Sequence, residues 1–593
     1  MRILLSLFIC IFFHGLAGSQ IYNDYIGTGH NEGVIVSSST QQSNGQATID
    51  GSGFGKDLAG ASRLMAHATL GANLEEILQL DEMGYESWLE EQMELPATSY
   101  GSLITPIDDL LYEYHLELGG DPDQYFVTAQ HFRYAWSHII MNAPDVLRHR
   151  VALALSEIFV ISDNSDLIIR GEGLADYYDL LSEHAFGNYR DLLMGITRHP
   201  TMGFYLGHLH NPKSDPANNI HPDENYAREI MQLFSIGLYE LNNNGTRIIG
   251  SNNQAIPTYD NDDIKGLARV FTGFGAGAWV EPGPPLVFNP QIPMFYIDMT
   301  VPMNMYEEAH EPGEKHILGD FVIPAGQTGM QDVEMALDQL FNHPNVGPFL
   351  GTLLIKRLVK SNPTQLYVER VANAFNDNGN GVRGDLGAVI KAILLDEEAR
   401  DCNWINNPSN GKLKEPIHRY TQYLKGLNVT ADNWFWSGGY AQQELTGQYV
   451  LSSPTVFNFF LPDYQPNSEI ANAELVAPEF QIFNSATSVG YMNLTYFMTV
   501  ADFLNEVPQQ EFNQLGILED YRAYLNDPWL TALATEPEAL VDYLDLILAH
   551  GNMSAETRQI IIDSTEPIIA FPEFSVKMAL YLTMVSPDYA IMK

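Results

Sequence analysis

The sequence predicts a mainly α protein, a large multi-helical domain with a few short strands confined to long Pro/Gly-rich excursions. Three observations carry that expectation. From Leu58 onward, apolar residues recur at helical spacing near 73–94, 124–142, 145–162, 173–197, 222–236, 262–272, 331–342, 364–376, 383–397 and 480–504. Only two stretches, 238–259 and 274–325, break that texture with turn-forming residues. There is also no internal repeat and no linker of the kind that separates independent domains, so 56–593 reads as one helical domain, with room for a C-terminal helical subdomain from about 505.

In chain order, Met1-Arg-Ile-Leu-Leu-Ser-Leu-Phe-Ile-Cys-Ile-Phe-Phe13 joins one positive charge to an apolar run too short for a stable membrane span. It reads as a secretory signal peptide over residues 1–19, with Ala17 and Ser19 as the small residues before a cleavage site at Gln20. Residues 20–55 are rich in Gly, Ser, Asn and Gln and are expected to form a flexible lead-in. No later stretch is long and apolar enough to span a membrane. Removing the signal peptide removes Cys10, which leaves Cys402 alone and rules out an internal disulfide. A formal net charge of −44 argues against nucleic acid and anionic membrane surfaces as partners.

The run His221 to Gly237 reads as one helix, with Pro222 at its first position, Asp223 and Glu224 at the positive end of its dipole, and Gly237 at its stop. Tyr226, Ile230, Leu233 and Phe234 share one apolar face. Asn225, Glu229 and Gln232 form a polar stripe beside it, and Glu224 pairs with Arg228 at i, i+4. Glu229 therefore lies at the edge of a buried surface, where a carboxylate needs a partner. Residues 238–259 suggest an irregular hairpin, and 262–272 a capped amphipathic helix in which Asp262 and Arg269 share a face. The excursion 274–325 is long enough to be functional. Asn376 to Asp385 has oxygen side chains at calcium-loop spacing, but no glutamate stands at the twelfth position, so a Gly-rich turn between two helices is expected. Further helices are expected over Glu536 to His550 and Glu556 to Ile562.

Several of these motifs carry a resemblance. His184-Ala-Phe-Gly-Asn-Tyr-Arg-Asp-Leu-Leu193, the Asp223–Glu229 core, Tyr259 with Asp262 to Gly273, His310-Glu-Pro-Gly-Glu-Lys315 and Ser453-Pro-Thr-Val-Phe-Asn-Phe-Phe460 together resemble the large bacterial family catalogued as domain of unknown function 1800. The resemblance implies an exported protein. It also implies a genomic neighbourhood with a second exported family related to alkaline phosphatases and sulfatases, which makes such a protein a candidate partner. It implies no reaction.

The motifs support two readings. In the first, the chain is a binding or assembly protein for an envelope polymer or for that phosphatase/sulfatase-like partner, and the motif residues are buried and paired. In the alternative, it is a hydrolase acting on an extracellular or envelope polymer. Glu229 would then be the central carboxylate and Asp263 and His310 would join it in catalysis, while Asn225, Arg228, Arg269 and Lys315 would position the substrate. Glu224 and Glu229 cannot pair with each other, because five residues along a helix leave them about 140° apart. That alternative requires a cleft uniting these residues. His208-Leu-His210 with His221, Asp223 and Glu224 offers nitrogen and oxygen ligands, but a loop follows the pair, so hydrogen-bonding roles are expected and no metal is assigned. No Gly-x-Ser-x-Gly elbow, phosphate-binding Walker loop or pair of Cys-x-x-Cys motifs occurs, and no cofactor is indicated. N-terminal sequencing of exported material should place the mature start near Gln20; an intact Met1 would overturn the signal-peptide reading.

Overall fold

The computed structural model describes residues 58–593 apart from 118, 281–285, 401–406, 408, 432–438, 468, 501–522 and 526. The expected signal peptide, the lead-in and Cys402 lie outside the described residues. The fold is mainly α, and the strands among the described residues form only two-stranded antiparallel ladders. None of the described helices is long and apolar enough to cross a membrane.

One apolar cluster runs from Ala61 and Leu64 through Trp136, Tyr178 and Phe234 to Leu544 and Tyr589. The end of the described chain is closed onto its middle, since Lys412–Leu413 pairs with Ile591–Met592. Two excursions interrupt the helices as expected. Residues 238–259 make an irregular hairpin held by bridges from Tyr239 to Pro257, Leu241 to Arg247 and Ile249 to Ala255. Within 274–325, Phe274–Gly275 pairs with Asn304–Met305 and Lys315–Ile317 with Phe321–Ile323. The Asn376–Asp385 segment is a turn: Asp377 Oδ1 accepts from the Gly379 and Gly381 amides, and Asp385 caps the next helix.

Three differences from the expected elements have physical causes. The 173–197 helix is broken into Gly171–Glu183 and Tyr189–Arg198, because the Asn188 side chain accepts from the Arg190 amide and starts a new helix. The 222–236 helix begins only at Asn225, since Asp223 instead accepts from the Asn225 amide and is itself tied to Asn211. It is α-helical over Asn225–Glu229 and then widens into a π segment, Ile230–Ser235. The wider turn re-aims the side chains beyond Glu229, so Tyr226, Ile230 and Phe234 are buried while Leu233 is only half-buried. Two helices, Val346–Leu358 and Pro416–Gly426, are buried along their whole lengths and were not anticipated, because a helix covered on every side has no polar stripe to mark its period.

Gly266 fixes how helix Asn261–Val270 meets strand Lys315–Ile317, for a Cβ there would lie 1.8 Å from the His316 carbonyl oxygen. Gly266→Ala should gain about 1 kcal/mol of helix propensity and lose more to the clash, giving a net destabilisation of about 1–3 kcal/mol. Denaturant melts of the two proteins measure the balance, and an unchanged or raised midpoint would contradict this account of the close approach.

Candidate functional site

The π segment that follows the Asp223–Glu229 motif meets the Ser453–Phe460 motif at one cavity of about 60 Å³. The π segment contributes Gln232 and Leu233, the Ser453–Phe460 motif contributes Val456 and Phe457, and the buried helix Val346–Leu358 contributes Phe349, Leu353 and Arg357. The motif helix must stop where it does to shape this wall: Gly237 sits at φ +71°, and a Cβ there would lie 2.8 Å from the Phe349 ring. The walls are mostly apolar. Glu157, Gln232, Arg357 and Asp463 supply the polar surface.

Glu157 also lines a second, smaller cavity with Gln448, Ser453 and Asn458, so it stands in the partition between the two. Behind it lies a buried charge network. Arg357 Nη1 approaches Glu157 Oε2 to 3.0 Å, yet at an angle that leaves this nitrogen without a hydrogen-bond acceptor. Gln448 Nε2 donates to Glu157 Oε1 at 3.2 Å and to Glu415 Oε2 at 2.7 Å. Lys412 Nζ lies 3.3 Å from Glu415 and 3.2 Å from Glu479, and it donates to the Lys356 and Arg357 carbonyls. Arg150 Nη2 also donates to the Arg357 carbonyl. Burial, and next the neighbouring Glu415, push the Glu157 carboxyl well up against the pull of Arg357 and Lys412. Burial pushes Glu415 the same way but is outweighed by Lys412, by the Glu157 hydrogen bond and by Arg357 and Arg150, which hold it ionised.

None of the sequence-predicted site residues lines this cavity, and only His310 and Lys315 among them converge on a shared side chain. Glu229 is 5% exposed, and its Oε2 is buried with no hydrogen-bond partner. Its electrostatic neighbours are Tyr205, Tyr259 and Arg228. Burial raises its carboxyl to about 7 against the pull of Arg228, whose guanidinium lies 3.4 Å from Glu224 as the i, i+4 spacing suggested. Burial first, then Glu229, lifts the Tyr205 and Tyr259 phenols to about 12. Asn225 is exposed, with its amide on Asp223. Asp263 accepts from the Asp260 amide in a capping box and from the Gly319 amide, which latches the helix to the β-hairpin.

His310 and Lys315 share a different partner. His310 faces Asp332 at 3.0 Å and the Thr272 carbonyl at 2.9 Å, while the Lys315 ammonium donates to Asp332 and to the Glu311 and Gly313 carbonyls. All three side chains are buried. Arg269 pairs with Glu311 at 3.6 Å rather than with Asp262, which pairs with Lys265. His208 is buried against Tyr226 with Nε2 on the Thr197 carbonyl, and His210, at φ +62°, turns toward Phe288. Among the described residues no group of three or more His, Cys, Asp or Glu side chains is placed to hold a metal ion.

Glu157, Arg357, Glu415 and Gln448 escaped the sequence reading. One signal was present: Glu157 directly follows Val151-Ala-Leu-Ala-Leu-Ser156, and a carboxylate ending an apolar run has to find buried partners.

The family model described as a protein of unknown function, DUF1800, matches residues 63–591, and the chain belongs to that family. No curated protein and no solved structure matches it. Glu229, in the middle of the most recognisable motif, is a buried acid that folding leaves uncompensated. Below about pH 4.5 it is neutral in both folded and unfolded chains. Between 4.5 and 7 the folded chain holds the extra proton, so stability falls as pH rises, and above 7 the full cost of about 3 kcal/mol is in place. Glu229→Gln should therefore melt like the parent at pH 4.5 and above it at pH 8. A variant less stable than the parent at pH 8 would mean that the carboxylate has a stabilising partner after all.

Proposed function

We propose that this DUF1800 member is an exported cell-envelope protein that binds an envelope polymer without cleaving it, and that the cavity between the π segment and the Ser453–Phe460 motif seats part of that polymer. One observation carries the reading: the motif charges are consumed by the fold, His310 and Lys315 on Asp332, and Asp263 on backbone amides, while the cavity between the π segment and the Ser453–Phe460 motif is mainly apolar. A hydrolase needs convergent acid and base groups at the reacting atoms. A binding site needs shape and a few hydrogen bonds. Export rests on the N-terminal signal pattern. The exported alkaline-phosphatase/sulfatase-like protein implied by the family resemblance is a second candidate partner, bound elsewhere on the surface.

The hydrolytic alternative keeps one favourable observation, the unpartnered Glu229 carboxyl at about 7, within the range of a general acid or base. Co-sedimentation with isolated envelope polymer, together with complementation of a deletion strain, separates the readings. Leu238→Trp, which fills the cavity from its wall, should abolish co-sedimentation and complementation, and Glu229→Gln should preserve both. The reverse pattern would overturn binding in favour of hydrolysis.

A further inference from the structure

The excursion 274–325 carries a surface that takes no part in the cavity. Trp279 bridges Ile297 in antiparallel register, the Val280 amide donates to the Tyr296 carbonyl at 2.8 Å, and the Asp298 amide donates to the Ala278 carbonyl at 3.1 Å. Successive side chains along such a ladder face opposite ways. Ile297 and Met299 turn inward onto Ala276 and, with Trp279, close a small core of their own. Val280 and Tyr296 are left facing outward, and the tight turn Met294–Tyr296 sets Phe295 beside them. The Phe295 and Tyr296 ring centroids lie 4.2 Å apart, with 51% of Phe295 and 36% of Tyr296 exposed.

This presentation is held from below. Arg170, itself buried, donates from Nη1 to the Met294 carbonyl at 2.9 Å and from Nη2 to the Ile297 carbonyl at 2.6 Å, the two carbonyls that flank the ring pair. The backbone on both sides of the rings is therefore fixed before any contact is made, which lowers the ordering cost of binding to them.

Charge narrows what can lie there. In a chain that is 18% charged and carries −44 overall, residues 274–280 and 286–297 hold no charged side chain. Besides the Tyr296 hydroxyl, the polar side chains offered are the carboxamides of exposed Gln291 and half-buried Asn289, which both donate to and accept from hydroxyls. An anionic polymer finds no cation on this face and is repelled by the chain's field. A protein partner finds none of the rim charges that steer and register such contacts. A neutral sugar fits both features, because the apolar C–H face of a pyranose lies flat on an aromatic ring while its hydroxyls meet the amides.

We infer that Phe295 and Tyr296 form a stacking platform for a neutral polysaccharide. Successive sugars lie on the two rings, and the strand continues toward Gln291. This assignment rests on the reading of the protein as a polymer binder and names the polymer's chemistry and a point of contact outside the cavity.

The test uses the mature chain and the polysaccharide of the producing cells' own envelope, split by anion exchange into a neutral and an acidic fraction. The parent should retain the neutral fraction, with an affinity that does not fall as salt is raised. Phe295→Ala combined with Tyr296→Ala should weaken retention at least tenfold at an unchanged melting temperature, since both rings are exposed. Phe295→Leu, which keeps apolar area and loses the ring, should weaken it too, while Phe295→Trp should keep it. Preference for the acidic fraction, retention indifferent to the double substitution, or Phe295→Leu binding like the parent would each overturn the platform. So would an envelope protein, in place of polysaccharide, captured by the parent and lost from the double variant. Retention lost in Leu238→Trp and untouched by the ring substitutions would sink the platform and leave the cavity reading standing. Retention lost in the ring variants and untouched by Leu238→Trp would do the reverse, and a parent that retains no polysaccharide would overturn both.

Discussion

The arrangement on which the rest depends is the buried charge network around Glu157, Arg357, Lys412, Glu415 and Glu479, all of them 5% exposed or less. Taking such groups out of water costs several kcal/mol per ion, and the loss is offset only where every partner is in place. Here one guanidinium lies against Glu157, one ammonium spans Glu415 and Glu479, and the Gln448 amide bridges Glu157 and Glu415. The partners come from positions far apart in sequence: the end of helix Val146–Ser156, helix Val346–Leu358, the strand Lys412–Leu413, the start of helix Pro416–Gly426 and the short helix Pro478–Gln481. Removing one partner would leave a buried charge uncompensated at a cost of about 3–5 kcal/mol, whereas apolar replacement of the whole set could be neutral. Helices that met in another order would strand its charges.

This constraint also explains which elements could be read from the sequence. Some helices with one wet face announced themselves, as Asn261–Val270 and Gly329–Phe341 did, because water enforces a polar stripe, although the half-exposed Gly101–Glu117 was not anticipated. Val346–Leu358 and Pro416–Gly426 are buried throughout, and the second carries His418, Arg419 and Gln422 at positions no amphipathic pattern predicts for a core. These are the helices that bear or adjoin the network. The site was legible in the same uneven way. The motifs Asp223–Glu229 and Ser453–Phe460 lie near the cavity, but it is lined by the π segment just after the first, and no spacing rule signals a π turn. His310 and Lys315 suggested chemistry because their shared partner, Asp332, lies 22 and 17 residues further on, where sequence alone cannot pair them.

Glu229 and Glu157 make an instructive pair. Both are buried carboxyls raised by desolvation. Glu157 has the Arg357 guanidinium 3.0 Å away and accepts from Gln448; Glu229 has two phenols, one adjacent guanidinium already turned to Glu224, and no bond to its Oε2. The first sits inside a network of opposite charges and the second stands outside one.

The π segment links them. Had the helix stayed α beyond Glu229, the residues after Ile230 would have been rotated away from their present directions, and Gln232 with Leu233 would not face the cavity as they do. The wider turn is held at its start and end by the Ser235 hydroxyl on the Ile230 carbonyl and by the Tyr189 hydroxyl on the Phe234 carbonyl. The Tyr259 hydroxyl then ties Gln232 back to the side of the helix where Glu229 lies. The polar group that the π segment brings to the cavity is therefore also the one that meets Tyr259, whose phenol feels the Glu229 charge.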